Sequence, residues 1–566
     1  MDNNNNSIED QPAGKKKPTT LLLIPCLLIT TSMLLLYLSQ NKIILISSTT
    51  TTISDSDHSR LRYDPCVGRY IYIHNLPSRF NKDILQDCES ISRPKDKTSM
   101  CRYIENSGFG PQMGDGDSTD SKYSRSWYAT NQFMLEVIFH EKMKTYECLT
   151  SNSSLASAIY VPYYAGLDLR RYMQWSCNVS ERDAAGKEIF KWLKKQPQWK
   201  GSRRIYEWSM VIQEVVNGYH GRIRTFLLRY CFQTVAYAIW RERNVRRVGD
   251  SSQSAACLIA RLDKTIRNRI TSLRRKKGGK YEKAMEVWFG RSLSGKDHFL
   301  VTGRISKDFR RYSEDNSSWG TNLMLLPESQ NLSFLTIERS PKRQNEFAIP
   351  YPTYFHPTSA VEIRQWQDKM KLTNRTVLFS FAGAQRQSKN YKGLVRTQVI
   401  EQCNSSSKAC RFLDCDVKAN ICDNPISLMK FFESSVFCLQ PPGDSLTRRS
   451  VFDSILAGCI PVFFSQGSAY KQYTWHIPNN ISEYSVYISY KELRNGGKNK
   501  IEEILRGIPN EKVVGMRENV IRLVPKIVYT KPNRHKPDGG ILEDAFDIAV
   551  KGVVKRIEET RREIQD

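Results

Sequence analysis

Acidic residues are scarce in this 566-residue chain, where 58 Asp and Glu stand against 85 Lys and Arg and leave a formal net charge of +27. A positive balance of this size can indicate nucleic-acid binding. The charge is uneven, because residues 202–290 hold 19 Lys and Arg against 7 Asp and Glu and so carry +12 of the +27. We therefore assign much of the excess to one segment and expect no nucleic-acid partner.

An obvious small-residue cleavage site is missing after the uncharged hydrophobic run at residues 21–38. With the residues up to 46 the run is long enough to cross a bilayer, and the three lysines at 15–17 place the N-terminus in the cytosol. We expect a cytosolic tail (1–20), a transmembrane signal anchor (21–46) and a Ser/Thr-rich stem (47–64). A cleaved signal peptide is the alternative, and in both cases the bulk of the chain would be lumenal.

CxxC pairs are absent from a polar segment that contains Cys403, Cys410, Cys415 and Cys422. That absence disfavours a zinc site, and in an oxidising lumen these cysteines are expected to form disulfides whose pairing the sequence leaves open. Glycosylation sequons downstream of the hydrophobic run agree with a lumenal location. They begin at Asn152, Asn178, Asn316, Asn331, Asn374, Asn404 and Asn480.

Short apolar runs alternate with helical patterns, which is typical of an α/β fold with parallel strands. Strand-like runs occupy 69–80, 158–166 and 297–305, a helical pattern fills 126–143, and a second alternation begins near 375. A Pro- and Tyr-rich link at 348–357 is the expected hinge. We predict two α/β domains that face each other across a cleft, followed by a tail with an amphipathic helix. Their bounds are 65–347 (interrupted by 202–290), 348–530 and 531–566.

One stretch of the second domain, Phe437 to Phe464, predicts a strand, a loop, a helix and another strand, with Gly458 ending the helix. Arg448 and Arg449 are expected in the first turn of that helix, where each cation opposes the helix macrodipole by about 0.3–1 kcal/mol. The sequence therefore predicts that an anion binds there.

The basic segment 202–290 contains two regions, RYCFQTVAYAIWRERNVRRVGD and LIARLDKTIRNRITSLRRKKGGKYEKAMEVWF. They resemble the C-terminal tail of plant LINE-type retrotransposon reverse transcriptases. We interpret the segment as a transposon-derived insertion or a gene-model error, with a genuine basic helical insertion as the alternative.

Six other motifs lie outside that segment: CVGRYIYIHNLPSRFN, GKDHFLVTGRISKDFRR, WGTNLMLLPE, FAIPYPTYFHP, LFSFAGAQR and the stretch from Phe437 through GSAYKQYTWHIP. Together they resemble the plant exostosin-type glycosyltransferases of family 47, most closely the xyloglucan galactosyltransferase branch. The resemblance implies a Golgi membrane protein, single-pass type II, with a GT-B fold of two Rossmann-like domains. It implies transfer of galactose from UDP-galactose, with inversion, to xylosyl side chains of xyloglucan. Two alternatives stay open: UDP-galacturonic acid or UDP-arabinose as donor to another wall polysaccharide, and an inactive Golgi scaffold that binds other wall-synthesis glycosyltransferases.

On this resemblance the expected anion is the diphosphate of the UDP-sugar. The donor-binding candidates are Gly383, Arg386, Gly443, Asp444, Ser445, Arg448, Arg449 and Asp453. The alternatives are an i,i+4 ion pair between Arg449 and Asp453, and a tight turn with a surface arginine at Gly383 and Arg386. No DxD-type metal motif stands out near a donor loop, and the resemblance implies a reaction without a metal, in which arginines replace the cation.

An inverting transfer needs a general base that removes the proton of the acceptor hydroxyl. Asp297 and His298, at the start of the strand-like run DHFLVTGR, are the first candidates, and His74 after the first strand is the second. The alternative for all three is a structural role at the ends of strands.

Overall fold

The computed structural model describes residues 64–92, 98–113, 125–172, 178–200, 294–386, 390–532 and 543–565, together with seven separate residues between 230 and 265. The predicted cytosolic tail and anchor, almost all of the stem and most of segment 202–290 lie outside these residues. Within the part described, no helix is both long and apolar enough to span a bilayer. The residues from Pro65 onward belong to one compact unit.

The first half of that unit is built on a parallel five-stranded sheet in the order β1-β2-β3-β4-β5. Its strands are Ile71–Ile73, Ala158–Val161, His298–Ile305, Ser333–Glu338 and Glu346–Ala348. The register aligns Tyr160 of β2 with Ile73 on one side and Phe299 on the other. The register between β3 and β4 shifts after Thr302, so that Ile305 pairs with Glu338 at the carboxyl end of β4.

The second half is built on another parallel sheet, in the order β10-β9-β8-β6-β7. The strands are Val377–Ala382 (β6), Cys410–Leu413 (β7), Ser435–Gln440 (β8), Ile460–Phe463 (β9) and Val486–Tyr487 (β10). Because the strand order reverses beside β6, the loops that follow β6 and β8 lie at the point where ligands bind in open α/β sheets.

Helices connect the strands in both halves. Those associated with the first sheet are Lys82–Gln86 (α1), Leu135–Met143 (α2), Ala165–Arg171 (α3) and Val179–Leu193 (α4). The second half contains Ala360–Leu372 (α5), Tyr391–Ser405 (α6), Ala419–Cys422 (α7), Pro425–Glu433 (α8), Ser450–Leu456 (α9), Ala469–Gln472 (α10), Tyr490–Asn495 (α11), Lys500–Arg506 (α12), Asn510–Arg522 (α13) and Val524–Ile527 (α14). The last helix is Ala545–Gln565 (α15).

The predicted strands and the terminal helix are confirmed, but the helix predicted over 126–143 begins later. Its regular part starts at Leu135, after a short 3-10 turn at Gln132–Met134. The preceding residues are extended, because Trp127 forms an antiparallel bridge with Phe355. A partner distant in the sequence therefore overrides the local helical pattern.

The link predicted as a hinge, residues 348–357, is buried along its whole length. His356 of this link contacts Thr130 Oγ1 at 2.8 Å and the carbonyl oxygen of Tyr529 at 2.8 Å. One hydrophobic core contains residues from both sheets, such as Val301 and Phe379. The link therefore lies in a shared core, while the predicted domain boundaries themselves stay a prediction.

The C-terminal helix α15 crosses back to the first sheet, which the sequence did not predict. Phe546 packs on Phe139 with ring centroids 4.8 Å apart. Just before the helix, the Asp544 carboxylate pairs with Lys142 Nζ at 2.8 Å, and both side chains are buried. The tail is therefore part of the first half in space.

Disulfides are confirmed for the cysteine cluster, where Cys403 pairs with Cys410 and Cys415 with Cys422. Three more bridges lie within the described residues: Cys66–Cys148, Cys88–Cys101 and Cys438–Cys459. The last of these joins β8 to the residue before β9 and so fastens both ends of the segment that contains α9.

Candidate functional site

The candidate site begins with the loop at residues 441–449, between β8 and α9. Helix α9 starts at Ser450 with Arg449 as its N-cap residue, so Arg448 and Arg449 precede the first turn rather than lie in it. The sequence had predicted both arginines within the first turn, so the helix begins one or two residues later than predicted. Gly458 follows the helix with φ of +62°, in the left-handed region that favours glycine, as predicted.

Two glycines allow arginine side chains to approach the backbone closely. A Cβ added at Gly383, just after β6, would lie 3.2 Å from Arg448 Nη2. A Cβ at Gly443 would lie 3.3 Å from Arg396 Nη2 and 3.4 Å from Arg448 Cγ. The sequence predicted both glycines and Arg448 for one site, and the structure brings them together.

Arg396, on the second turn of α6, completes this group and was missed by the sequence analysis. Its side chain is buried, and its Nη1 donates to the carbonyl oxygen of Ala384 at 3.0 Å. The only local signal was an arginine within a helix that follows a glycine-containing loop, which by itself indicates nothing. We call Arg386, Arg396 and Arg448 the arginine cluster.

The guanidinium groups of the arginine cluster repel one another, and those of Arg396 and Arg448 are also buried. Burial and then repulsion from Arg396 and Arg386 lower the pKa of Arg448 to about 9. Burial and then repulsion from Arg386 lower the pKa of Arg396 to about 10. The Asp444 carboxylate lies 3.0 Å from Arg386 Nη2 in an exposed ion pair, and the buried carboxylate of Asp453 also favours the charged form of Arg448. The cluster therefore carries positive charge that the surrounding acidic groups only partly neutralise.

Buried donors of the cluster also lack partners. Arg448 Nη2 donates to the carbonyl oxygen of Ala382 at 3.0 Å, but Arg448 Nη1 and Arg396 Nε have no hydrogen-bond acceptor among the residues that the structure describes. Buried N–H groups are almost always satisfied in folded proteins. An anion with several acceptor oxygens, such as a diphosphate, would satisfy these donors and relieve the repulsion.

Arg449 points away from the cluster and bridges the two halves. Its Nη1 donates to the carbonyl oxygen of Thr130 at 2.8 Å, and its guanidinium carbon lies 3.7 Å from the ring centroid of Tyr354. Its Nε lies 3.7 Å from Asp453 Oδ2, the i,i+4 pair that the sequence offered as the alternative. Burial raises the pKa of Asp453 to about 6 against the opposing effect of Arg449 and Arg448. Donor binding by Arg449 and Asp453 stays a prediction.

Ser445 links the loop to the first half. Its hydroxyl donates to Glu338 Oε1 at 2.5 Å, and the Tyr351 hydroxyl donates to the same atom at 2.8 Å. Burial raises the pKa of Glu338 to about 7, although the hydrogen bonds from Ser445 and Tyr351 oppose that shift. Glu338 was also missed; its signal was a carboxylate at the last position of an apolar strand.

The three predicted base residues form a single buried network. His74 Nε2 lies 3.1 Å from His298 Nε2, and His298 Nδ1 lies 2.8 Å from Asp297 Oδ1. The relative exposure is 3% for His74 and 0% for the other two. Burial and then repulsion from His298 lower the pKa of His74 to about 3.

This network lies at the opposite end of β3 from the contact between Ser445 and Glu338. His298 begins β3, whereas Ser445 meets the sheet beside Ile305, the last residue of that strand. Seven steps along a strand span about 23 Å, and a general base must reach its proton within hydrogen-bond distance. The placement favours the structural alternative for the three residues, and a catalytic role for them stays a prediction.

Comparison with known proteins gives the family. The family description "Exostosin GT47 domain" matches residues 65–203 and 233–505, so the match resumes inside the basic segment. The Arabidopsis thaliana protein named "Probable xyloglucan galactosyltransferase GT15" is 63% identical over 505 residues, which cover 89% of this chain and 86% of that protein.

Two further Arabidopsis thaliana proteins are similar over most of the chain. "Xyloglucan galactosyltransferase MUR3" is 41% identical over 88% of this chain and 64% of its own length. "Xyloglucan-specific galacturonosyltransferase 1" is 32% identical over 89% of this chain and 59% of its own length. The extent of these matches and the arginine-lined loops lead to one conclusion: the chain belongs to the exostosin GT47 family of glycosyltransferases.

Proposed function

We propose that this chain transfers galactose from UDP-galactose, with inversion, to the xylosyl side chains of xyloglucan. The arginine cluster is the observation that carries the proposal, because between the loops after β6 and β8 it presents positive charge that is only partly neutralised and buried donors that have no partner among the described residues. We assign the two-sheet architecture to the GT-B type, in which the second half binds the nucleotide sugar.

The cluster would act mainly on the leaving group. As the bond from the sugar to UDP breaks, negative charge develops on the diphosphate, and donors fixed in advance stabilise that charge without reorganising. Lys392, on α6, adds to the positive field. Its Nζ donates to the carbonyl oxygen of Asp444 at 2.5 Å, and Asp444 belongs to the 441–449 loop that also bears Arg448. These groups would supply the charge that a divalent cation supplies in other sugar-nucleotide enzymes.

The choice of acceptor and donor rests on the relatives. Two of the three named above are called xyloglucan galactosyltransferases, which supports xyloglucan and galactose. The relative called a galacturonosyltransferase supports UDP-galacturonic acid as the second candidate donor. The assembled cluster favours an active enzyme over an inactive scaffold.

We place the enzyme in the Golgi lumen on a type II membrane anchor. The five disulfides support an oxidising compartment. Sequon residues such as Asn152, Asn374 and Asn480 are exposed, whereas Asn331 is half-buried and donates through Nδ2 to the carbonyl oxygen of Ser294. We therefore expect glycosylation at some of the exposed sequons and none at Asn331.

A donor and acceptor assay tests the proposal. The full-length chain, solubilised in detergent, would be given UDP-galactose, UDP-galacturonic acid or UDP-arabinose together with xyloglucan oligosaccharides. Galactosyl transfer to xylose with release of UDP supports the proposal. Transfer of galacturonic acid alone would establish the second candidate, and no transfer from any donor would leave the scaffold alternative ahead.

A further inference from the structure

Trp319 is a large aromatic side chain that the proposed mechanism does not use. Its indole is 44% exposed, and it follows an irregular segment after β3. The Trp319 Nε1 group donates to Asp308 Oδ1 at 2.8 Å. A single exposed aromatic residue is common on protein surfaces, but here a buried carboxylate fixes the orientation of the ring.

The support behind this indole is built from buried charged groups. Asp308 Oδ2 accepts from Arg304 Nε at 2.8 Å, and both side chains are less than 10% exposed. The Arg304 guanidinium carbon lies 4.5 Å from the ring centroid of Phe133 and 5.8 Å from that of Trp319. Arg304 Nη1 is buried without a hydrogen-bond partner in the described part of the chain. An unpaired donor therefore lies beside the indole.

The backbone under Trp319 is also fastened. Gly320 has φ of +90°, and a Cβ there would lie 2.3 Å from the carbonyl oxygen of Asp308. The amide of Thr321 donates to that same oxygen at 2.9 Å. The position of the indole is thus set by a tight backbone contact as well as by its own hydrogen bond.

Trp319 is held by Asp308 just beyond the carboxyl end of β3 in the first sheet, the sheet that the loop at residues 441–449 (the donor loop) contacts through Ser445. Asp308 follows the carboxyl end of β3, where Ile305 pairs with Glu338. Glu338 accepts a hydrogen bond from Ser445 of the donor loop. Tyr351 donates to the same carboxylate. Burial and then nearby charges, including that of Asp308, raise the pKa of Tyr351. Phe133, under Arg304, lies three residues after Thr130, which accepts from Arg449.

We propose that Trp319 is a stacking platform for a sugar ring of the acceptor chain, next to the donor site, with Arg304 and Asp308 as the groups that position it. The flat C–H faces of a neutral pyranose suit an aromatic surface, and a polysaccharide offers no charge to an ionic site. This inference rests on the proposed function, since it assumes an oligosaccharide acceptor.

Kinetics of two variants test the platform. Trp319→Ala should raise the KM for the xyloglucan oligosaccharide about tenfold, while Trp319→Phe, which keeps a ring, should stay within about threefold of the wild type. The KM for UDP-galactose and the slow hydrolysis of UDP-galactose without acceptor should be unchanged in both. Tyr312→Ala is the control, because Tyr312 belongs to the same segment and is 74% exposed.

A second measurement uses the wild-type protein, so its result does not depend on whether a variant folds. Oxidative footprinting with peptide mass spectrometry should show that the oligosaccharide protects Trp319, whereas UDP does not. An unchanged acceptor KM in Trp319→Ala together with absent protection would overturn the platform but not the proposed function. A wild type that transfers no sugar and gains no protection from any wall oligosaccharide would overturn both.

Discussion

The Ser445 hydroxyl donates to Glu338 Oε1 at 2.5 Å, and this contact joins the loop that bears Arg448 to the carboxyl end of β4. The same oxygen accepts from Tyr351, so one buried carboxyl group fixes two elements. Its protonation state should therefore affect both the stability of the fold and the position of the donor loop.

We expect Glu338→Gln to change how stability depends on pH. Burial raises the pKa of Glu338 from 4.5 to about 7. Between these values the folded state holds a proton that the unfolded state releases, so the free energy of unfolding falls as pH rises through this window. Gln cannot ionise, so the free energy of unfolding of the variant should not show this fall. Relative to the wild type it should therefore increase by up to about 3 kcal/mol between pH 4.5 and 7.5.

Denaturant unfolding at a series of pH values measures this difference. Glu518→Gln, on the exposed surface of α13, is the control and should follow the wild type. Parallel stability curves for wild type and Glu338→Gln would show that Glu338 does not hold a proton in this range.

Arg448→Ala should lower kcat/KM for UDP-galactose by about 100-fold, because it removes the buried charge that faces the proposed diphosphate. Arg448→Lys keeps a charge but loses the planar fork, so an intermediate loss is expected. Arg522→Ala, whose side chain is 69% exposed on α13, is the matched control and should be active. Transfer rates close to wild type in Arg448→Ala would remove this residue from the donor site.

His298→Gln distinguishes catalysis from support in the buried network. We expect a loss of about 2–4 kcal/mol in the free energy of unfolding, because Asp297 would stay buried without the imidazole that it contacts. The folded fraction should transfer galactose at nearly the wild-type rate, with an unchanged pH–rate profile. A 100-fold or greater fall in kcat without loss of stability would instead indicate that His298 is the base.

The ends of the basic segment meet in space. A Cβ added at Gly295 would lie 2.5 Å from Trp199 Cη2, so the residues on either side of 201–293 are already in contact. A short Gly-Ser bridge could therefore replace residues 203–292 without moving β3. We expect the unfolding temperature of this deletion variant to lie within about 3 °C of that of the full chain, and we expect the variant to transfer galactose.

Thermal unfolding and the same transfer assay check the deletion. The matched control removes the 15 residues of α4, a buried element of the first half, and should not fold. If the deletion of 203–292 fails like the control, the segment is a required part of the domain, and its interpretation as an insertion is wrong.

Local pattern explains what could be predicted. The runs at 158–166 and 297–305 became β2 and β3, and the alternation predicted to begin near 375 opens with β6, because short β-branched and aromatic runs bury both faces in a parallel sheet. The glycines near Arg448 were also readable, since a glycine loop after a strand marks a close approach of backbone and ligand. The helix predicted from residue 126 began at Leu135, because a bridge to Phe355 competed with it.

The sequence by itself determined the alternation of strands and helices, the disulfide-forming character of the cysteines and the arginines of the 441–449 loop. Only the tertiary structure decided that Arg396 completes the cluster and that Glu338 holds Ser445. The reason is physical: secondary structure follows from neighbours within a few residues. These contacts join residues that are 52 to 107 positions apart, such as Arg396 with Arg448 and Glu338 with Ser445, and packing alone brings such residues together.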